Sequence, residues 1–133
     1  MKEITYVTGN WAKIESARQY LEPLGIKVSN IKMETNEIQA DSVEEVAKHS
    51  AKEASDILKK DVLKNDTGLY VDALNGFPGP YTHYVDDTLG ENGILKLLNG
   101  EENRSAKFIE AFAYCEYGSE PVVFTSITKG TIA

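Results

Sequence analysis

Residues 64–81 read KNDTGLYVDALNGFPGPY, and this stretch carries the clearest structural and functional signals of the chain. Its Asp-Thr-Gly triplet at 66–68 lies between two apolar runs, which predicts a strand that enters a tight turn and a second short strand that leaves it. The glycines and prolines of residues 76–80 predict a stiff loop that ends at Tyr81. A carboxylate on a turn that faces a rigid loop fits an enzyme that acts on metal-bound phosphates.

The carboxylate of Asp66 has two interpretations. At the end of a strand it would lie at the carboxyl edge of the sheet, where α/β proteins bind ligands, and it could ligate a metal or orient an attacking water. Alternatively, Asp66 could form an Asx turn that only caps the backbone of Thr67 and Gly68. The loop at 76–81 could likewise be purely structural.

Strands and helices alternate outside this stretch, as hydrophobic periodicity indicates. The pattern predicts a strand at 4–7, a helix from about 11 to 21, a strand over 26–33, a helix over 43–60, a helix over 92–98, and a hairpin of strands at 106–117 and 122–132. The helix over 43–60 is the most secure because Ser42 and Glu45 form a capping-box signature before a continuous apolar face. This order predicts an α/β fold, a mixed twisted sheet with flanking helices, as a single domain over 1–133.

Composition narrows the class of protein. The 133 residues carry a formal net charge of −7 and no basic stripe, which argues against nucleic-acid binding. No apolar run is long enough to span a bilayer, so we expect no membrane association and a cytoplasmic location. The single Cys115 lies in an apolar run and is predicted to be a core residue, while His49 and His83 have no zinc-ligand spacing.

A second candidate site lies between the first predicted strand and the first predicted helix. Residues 8–13 read TGNWAK, and the backbone N–H groups at a helix start attract anions. Lys13 would add a positive charge in the first turn, although the spacing is not that of a Walker A loop. The alternative is that Asn10 is an ordinary helix cap and Lys13 a solvated lysine.

Acidic residues crowd the segment before the helix over 43–60. Glu34, Glu37 and Asp41 could meet Asp66 in space, and two carboxylates together with substrate phosphates are a usual way of holding Mg²⁺. The alternative is a solvated loop that leads into a helix cap. Lys52, within that helix, could be a plain surface lysine that pairs with neighbouring acids.

Taken in order, the motifs resemble the inosine triphosphate pyrophosphatase family. They are TGNxxK at 8–13, EIQ at 37–39, DTGL at 66–69 and ALNGFPGPY at 73–81, and the resemblance runs from residue 4 to residue 132. It implies a cleft between two lobes, Mg²⁺ as the cofactor, and hydrolysis of non-standard purine nucleoside triphosphates to nucleoside monophosphate and pyrophosphate.

The resemblance also implies roles for individual residues. The implied magnesium ligands are Glu37 and Asp66. The implied substrate-binding residues are Thr8, Gly9, Asn10, Lys13, Lys52, Thr67, Gly68, Pro78, Gly79 and Tyr81, of which Pro78, Gly79 and Tyr81 would shape the cleft near the nucleoside. Asp66 would also act as the base. Lys13 would stabilise the charge that grows during the reaction.

Two departures from the family pattern bear on function. The family usually has a second acid immediately before Asp66, whereas this chain has Asn65, which carries no charge and cannot act as a base. The family's terminal strand-helix segment, which supplies much of its purine pocket, has no counterpart before Ala133. We therefore weigh an active enzyme against a shortened paralogue that only binds nucleotide or a partner, and expect a homodimer that covers strand surface.

Overall fold

The computed structural model describes residues 2–36 and 38–133. Its elements are β1 (Lys2–Val7), α1 (Trp11–Leu21), β2 (Ile26–Ile31), α2 (Val43–Leu58), β3 (Val62–Val71), β4 (Pro78–Gly79), α3 (Thr82–Thr88), α4 (Gly90–Leu97), β5 (Ser105–Cys115) and β6 (Val122–Thr131). Short 3₁₀ turns follow α1 and β3. No helix in this described part is long and apolar enough to cross a membrane.

One mixed sheet of six strands organises the chain. Its order is β2-β1-β3-β5-β6, with β4 paired to one end of β3. The pairs β1–β2 and β1–β3 are parallel, while β3–β5 and β5–β6 are antiparallel. The predicted α/β fold with a mixed sheet and flanking helices is therefore confirmed, and the quoted stretch begins within its central strand.

The predicted turn at residues 66–68 is wrong, because β3 runs through it without a break. Asp66 pairs with Ala111 and Gly68 pairs with Ile109 of β5. A Cβ placed on Gly68 would lie 2.5 Å from the carbonyl oxygen of Gly79 and 2.8 Å from Cγ1 of Val43. The glycine therefore permits β4 and α2 to approach the strand, rather than allowing the chain to turn.

The proline-glycine loop doubles back onto β3. It contains a cis Phe77–Pro78 peptide bond and continues directly into α3, a helix that the sequence pattern did not predict. The Thr82 hydroxyl accepts a hydrogen bond from the backbone N–H of Leu69 at 2.8 Å and donates one to the Gly79 carbonyl at 2.6 Å. This side chain fixes the loop against the strand.

Helix α2 covers one face of the sheet, which we call the α2 face. Its small apolar side chains pack with residues of β1, β3 and β5 in a buried cluster of Val7, Val43, Ala47, Ala51, Ala54, Val62, Ala111, Ala113 and Cys115. The Ser42 side chain accepts a hydrogen bond from the N–H of Glu45 at 3.3 Å, as the capping signature predicts. Cys115 is a buried core residue, as expected.

The opposite face of the sheet is covered at two separate places, and we call it the cleft face. Helix α1 borders a cavity floored by Tyr6 and Leu63, while α3 and α4 pack against Val71. Because side chains alternate along a strand, Asn65 and Thr67 lie on this face between the two groups of helices. This is the cleft between two lobes that the resemblance implies.

Candidate functional site

The residues between β1 and α1 form a compact loop. The Thr8 hydroxyl accepts a hydrogen bond from the N–H of Asn10 at 3.1 Å, and Asn10 Oδ1 accepts one from the N–H of Lys13 at 3.3 Å. Asn10 is thus the N-cap of α1, which was one of its two interpretations. A cap does not exclude anion binding, because a helix start presents several N–H groups together with the positive end of the helix dipole.

Three lysines from separate parts of the chain lie next to this loop. The Lys13 side chain is half-buried in the first turn of α1, and the aliphatic part of Lys32 lies about 3.1 Å from where a Cβ on Gly9 would be. Lys64 Nζ donates to the carbonyl of Val7 at 3.4 Å, at the very end of β1. In a chain with a net charge of −7, these three ammonium groups make a local positive region suited to a polyphosphate.

Asp66 lies on the α2 face, beyond the point where β1 ends. Strand alternation places it with Gly68 and Tyr70, and the Tyr70 hydroxyl accepts a hydrogen bond from the N–H of Val43 at 3.1 Å. Burial, helped by the negative charges of Glu44 and Asp66, raises the pKa of Tyr70. A half-buried carboxylate thus stands close to the end of β1, as a metal ligand or a base would require.

Asn65, the departure from the family pattern, is part of a hydrogen-bonded network on the cleft face. Its Oδ1 accepts from the Tyr6 hydroxyl at 2.9 Å, and its Nδ2 donates to Glu110 Oε2 at 3.0 Å. The Thr67 hydroxyl donates to the same oxygen of Glu110 at 3.3 Å. Burial and the charge of Glu110 raise the pKa of Tyr6, which keeps this phenol a donor.

A cavity of about 340 Å³ lies between α1 and this network. Lys13, Tyr6 and Glu110 line it together with Ala17 and Phe112. Its polar groups therefore come from α1, β1 and β5, three elements that are distant in the sequence. The cavity joins the Lys13 side of the loop to the cleft face of β3.

The magnesium ligands Glu37 and Asp66 stay a prediction. Glu37 lies outside the described residues, and Glu34 and Asp41 are exposed. Within residues 2–36 and 38–133 there is no group of three or more His, Cys, Asp or Glu side chains that could hold a metal. Asp66 lies on β3, just beyond the residues that pair with β1.

Lys52 lies away from this group. Its Nζ is 3.3 Å from Asp56 Oδ1 and 3.4 Å from the carbonyl of Ser119, beside the turn that joins β5 to β6. That turn adjoins Val62 at the start of β3, about 13 Å along the strand from Asp66 at the usual rise per residue. The implied approach of Lys52 to the phosphates receives no support from this placement.

The remaining predicted residues take different positions around the cleft. Pro78 and Gly79 are buried in β4 against β3, and Gly68 is buried behind them. Tyr81 is 39 % exposed at the start of α3, and Thr67 is exposed on the cleft face. Only Tyr81 and Thr67 of this set present much side-chain surface to a ligand.

Sequence reasoning missed the network partners of the site. Tyr6 appeared as a strand residue, Glu110 as an acid within an apolar strand pattern, and Lys64 as a flank of the triplet. A signal was present at Glu110, because a charged residue inside an otherwise apolar strand needs a partner or a ligand. The partner itself depends on the β3–β5 register, which the sequence pattern does not fix.

Comparison with known proteins agrees with these motifs. The model of the Ham1 family matches residues 4–133. Two similar relatives are named dITP/XTP pyrophosphatase: the protein of Methanopyrus kandleri is 47 % identical over 131 residues, and that of Thermococcus kodakarensis is 46 % identical over 130 residues. Each alignment covers 98 % of this chain and 70 % of the relative.

Two solved structures show the same fold. The HAM1 protein of Coxiella burnetii superposes with a TM-score of 0.90 at 25 % identity, covering 100 % of this chain and 74 % of that chain. The Ham1 protein of Staphylococcus aureus gives a TM-score of 0.84 at 29 % identity, covering 99 % and 72 %. Both the fold and the resemblance seen in the motifs are thus confirmed.

Proposed function

The chain belongs to the Ham1 family, and from that premise we propose that it is a Mg²⁺-dependent nucleoside triphosphate pyrophosphatase that acts on non-standard purine nucleotides. The observation that carries the proposal is that Lys13, Lys32 and Lys64 lie next to the Thr8–Asn10 loop, with Asp66 on the strand that carries Lys64. Lysines that could bind a polyphosphate and a carboxylate that could act in its hydrolysis thus both lie near the end of β1.

The residues divide the reaction between them. The start of α1 and the lysines bind the triphosphate and hold it in place. Asp66 takes a proton from the attacking water, whose oxygen forms a bond to the α-phosphorus. The α–β anhydride bond breaks, and pyrophosphate leaves with its charge stabilised by Lys13.

Magnesium fits the donor chemistry of this end of the sheet. Mg²⁺ prefers oxygen ligands and usually keeps waters and substrate oxygens beside one or two protein carboxylates. Asp66 is such a carboxylate in the described structure, and Glu37 is proposed as the second. When bound, Mg²⁺ would neutralise charge on the phosphate oxygens.

The proposed substrate class rests on the relatives. Several of them, at 37–47 % identity, carry the name dITP/XTP pyrophosphatase, which motivates dITP and XTP as first substrates. These names do not favour the alternative of a binding protein without turnover. Within the cleft, the exposed faces of Tyr81 and Thr67 are the proposed contacts for the nucleoside.

The test is an assay of the purified chain with Mg²⁺ and a panel of dITP, XTP, ITP, ATP and dUTP, with separation of the products. We expect nucleoside monophosphate and pyrophosphate, with dITP and XTP favoured. Asp66→Asn should lower kcat by about 100-fold or more. Asp72→Asn, at an exposed carboxylate just after β3, is the control and should retain activity. Release of inorganic phosphate instead of pyrophosphate would refute the proposal.

We also propose a homodimer. In the described sheet β6 is an edge strand, and its Val122, Phe124 and Ile127 side chains are more than half exposed. Exposed apolar side chains on an edge strand favour association with a second copy. Light scattering at micromolar concentration should give twice the mass of the chain, and a monomer would contradict the proposal. The cytoplasmic location stays a prediction.

A further inference from the structure

The carboxylate of Glu110 is held by hydrogen bonds and not by an ion pair. It is half-buried on the cleft face, and within residues 2–36 and 38–133 it has no ion pair with a cationic side chain. Its neighbours in the network are neutral: the amide of Asn65 and the hydroxyl of Thr67. A partly buried carboxylate whose hydrogen-bond donors are neutral can bind a cation through its oxygens.

The geometry of the two carboxylate oxygens fits a ligand. Both hydrogen bonds to this carboxylate, from Asn65 Nδ2 at 3.0 Å and Thr67 Oγ1 at 3.3 Å, reach Oε2. Among the described residues Oε1 receives no hydrogen bond, although the side chain lines the cavity of about 340 Å³. Glu110 is thereby held rigidly by one oxygen while the other stays available.

The position of Glu110 near Lys13 indicates which kind of ligand Glu110 would bind. Both residues line the same cavity, so a triphosphate bound to Lys13 would bring negative oxygens toward Glu110. Two negative groups in a partly buried site repel each other unless a cation lies between them. A divalent cation that accompanies the polyphosphate resolves this conflict, and carboxylate and phosphate oxygens are its preferred ligands.

We propose that Glu110 binds a divalent cation on the cleft face of β3, on the side of the sheet opposite Asp66. This proposal rests on the proposed function, which supplies the polyphosphate that would share the cavity with the cation. Binding of the cation can nevertheless be measured without any hydrolysis of nucleotide. Asn65 would then be a positioning residue, because its amide links Tyr6 to Glu110 and holds the carboxylate toward the cavity.

The test measures Mn²⁺ binding to the full chain by electron paramagnetic resonance, with Mn²⁺ alone and then with pyrophosphate. Glu110→Gln preserves the size of the side chain and should weaken Mn²⁺ binding in the presence of pyrophosphate at least about tenfold. Glu102→Gln, at an exposed site after α4, is the matched control and should bind as the unaltered chain does. Circular dichroism melts verify that each variant is folded.

A charge exchange separates cation binding from a structural role. Asn65→Asp combined with Glu110→Gln keeps one carboxylate and one amide in the network but moves the charge from β5 to β3. We expect this pair to recover Mn²⁺ binding to within about threefold of the unaltered chain, since the charge stays within the hydrogen-bonded network beside the cavity. Equal Mn²⁺ binding by Glu110→Gln and the unaltered chain, or a folded double variant that binds no better than Glu110→Gln, would overturn the proposal.

The nucleotide assay keeps the two proposals apart. If the unaltered chain fails to hydrolyse any nucleotide while Mn²⁺ binding still depends on Glu110, the proposed function is lost and the cation site stands. If hydrolysis occurs and Glu110→Gln leaves Mn²⁺ binding unchanged, the proposed cation site is refuted and the proposed function stands.

Discussion

The two faces of β3 place neighbouring residues of one strand in opposite environments. On the α2 face, Gly68 and Tyr70 contact Val43, at the start of α2, and leave almost no free space. On the cleft face, Asn65 and Thr67 lie between two groups of helices and belong to a polar network that borders a cavity. Consecutive residues of β3 from Asn65 to Tyr70 therefore point alternately toward the cleft face and toward the α2 face.

This difference shows how a short motif can support two functions. The alternation of side chains along a strand separates Asp66 from Asn65, although both lie just beyond the end of β1. Substitutions of the packed residues on the α2 face, such as Gly68 but not Asp66, should therefore change mainly stability. Those on the cleft face should change mainly ligand binding and titration behaviour.

The largest expected effect on stability is that of Gly68→Ala. Its Cβ would lie 2.5 Å from the Gly79 carbonyl oxygen, a backbone atom that cannot move without displacing β4. We expect a loss of about 3 kcal/mol in the free energy of unfolding, or roughly 10 °C in Tm for a domain of this size. Thermal and urea unfolding followed by circular dichroism would measure it.

The matched control for this substitution is Gly130→Ala in β6. A Cβ on Gly130 meets nothing within 4 Å, and the residue has ordinary strand geometry. Replacing glycine where space is available should be neutral or slightly stabilising. A Tm for Gly68→Ala within about 2 °C of the control would show that the α2 face is not tightly packed at β4.

The sequence predicts the order of elements better than the environment of the motif. The periodic helix of α2 and the β5–β6 hairpin were recognisable, because their side-chain patterns repeat over ten or more residues. The Asp-Thr-Gly triplet was misread as a turn, since a glycine required for close approach looks the same in sequence as one required for bending. That distinction depends on Gly79, eleven residues away, and on α2.

The site was predictable to the extent that it is local in sequence. The Thr8-to-Lys13 loop is one segment, and its capping by Asn10 follows from its own residues. Glu110 joins the site only through the pairing of β5 with β3, which sets Glu110 opposite Thr67. Strand register depends on the whole sheet, and a shift of one residue would turn Glu110 to the other face.

Removal of the α2 cap should have a smaller effect on the same face. Ser42→Ala deletes the acceptor for the N–H of Glu45, and we expect a loss of about 1 kcal/mol in unfolding free energy. Ser16→Ala, within α1 at an exposed position, should be neutral or slightly stabilising because alanine is the better helix former. Urea unfolding separates the two, and equal stabilities would mean that the cap contributes nothing to the packing of α2.

The smallest expected change in unfolding free energy near neutral pH is that of Tyr6→Phe on the cleft face, and the sign of this change depends on pH. Tyr6→Phe removes the hydrogen bond to Asn65 Oδ1 and should cost about 0.5 kcal/mol at pH 8, since the amide can be resolvated from the cavity. Burial and Glu110 raise the pKa of Tyr6, so the folded chain keeps the phenol protonated where the unfolded chain ionises it. The stability due to this phenol is complete below about pH 10 and is lost as the pH rises above it.

At pH 11 the unaltered chain should therefore have lost about 1 kcal/mol that the Tyr6→Phe chain retains, and the variant becomes the more stable of the two. Urea unfolding at pH 8 and pH 11 measures this crossing. Tyr20→Phe, at a side chain that is 76 % exposed, is the control and should show no crossing. An equal change in unfolding free energy between pH 8 and pH 11 for Tyr6→Phe and the unaltered chain would mean that the Tyr6 hydroxyl is solvated rather than held in the network. The cleft face would then be an ordinary solvated surface, without the ordered network that distinguishes it from the α2 face.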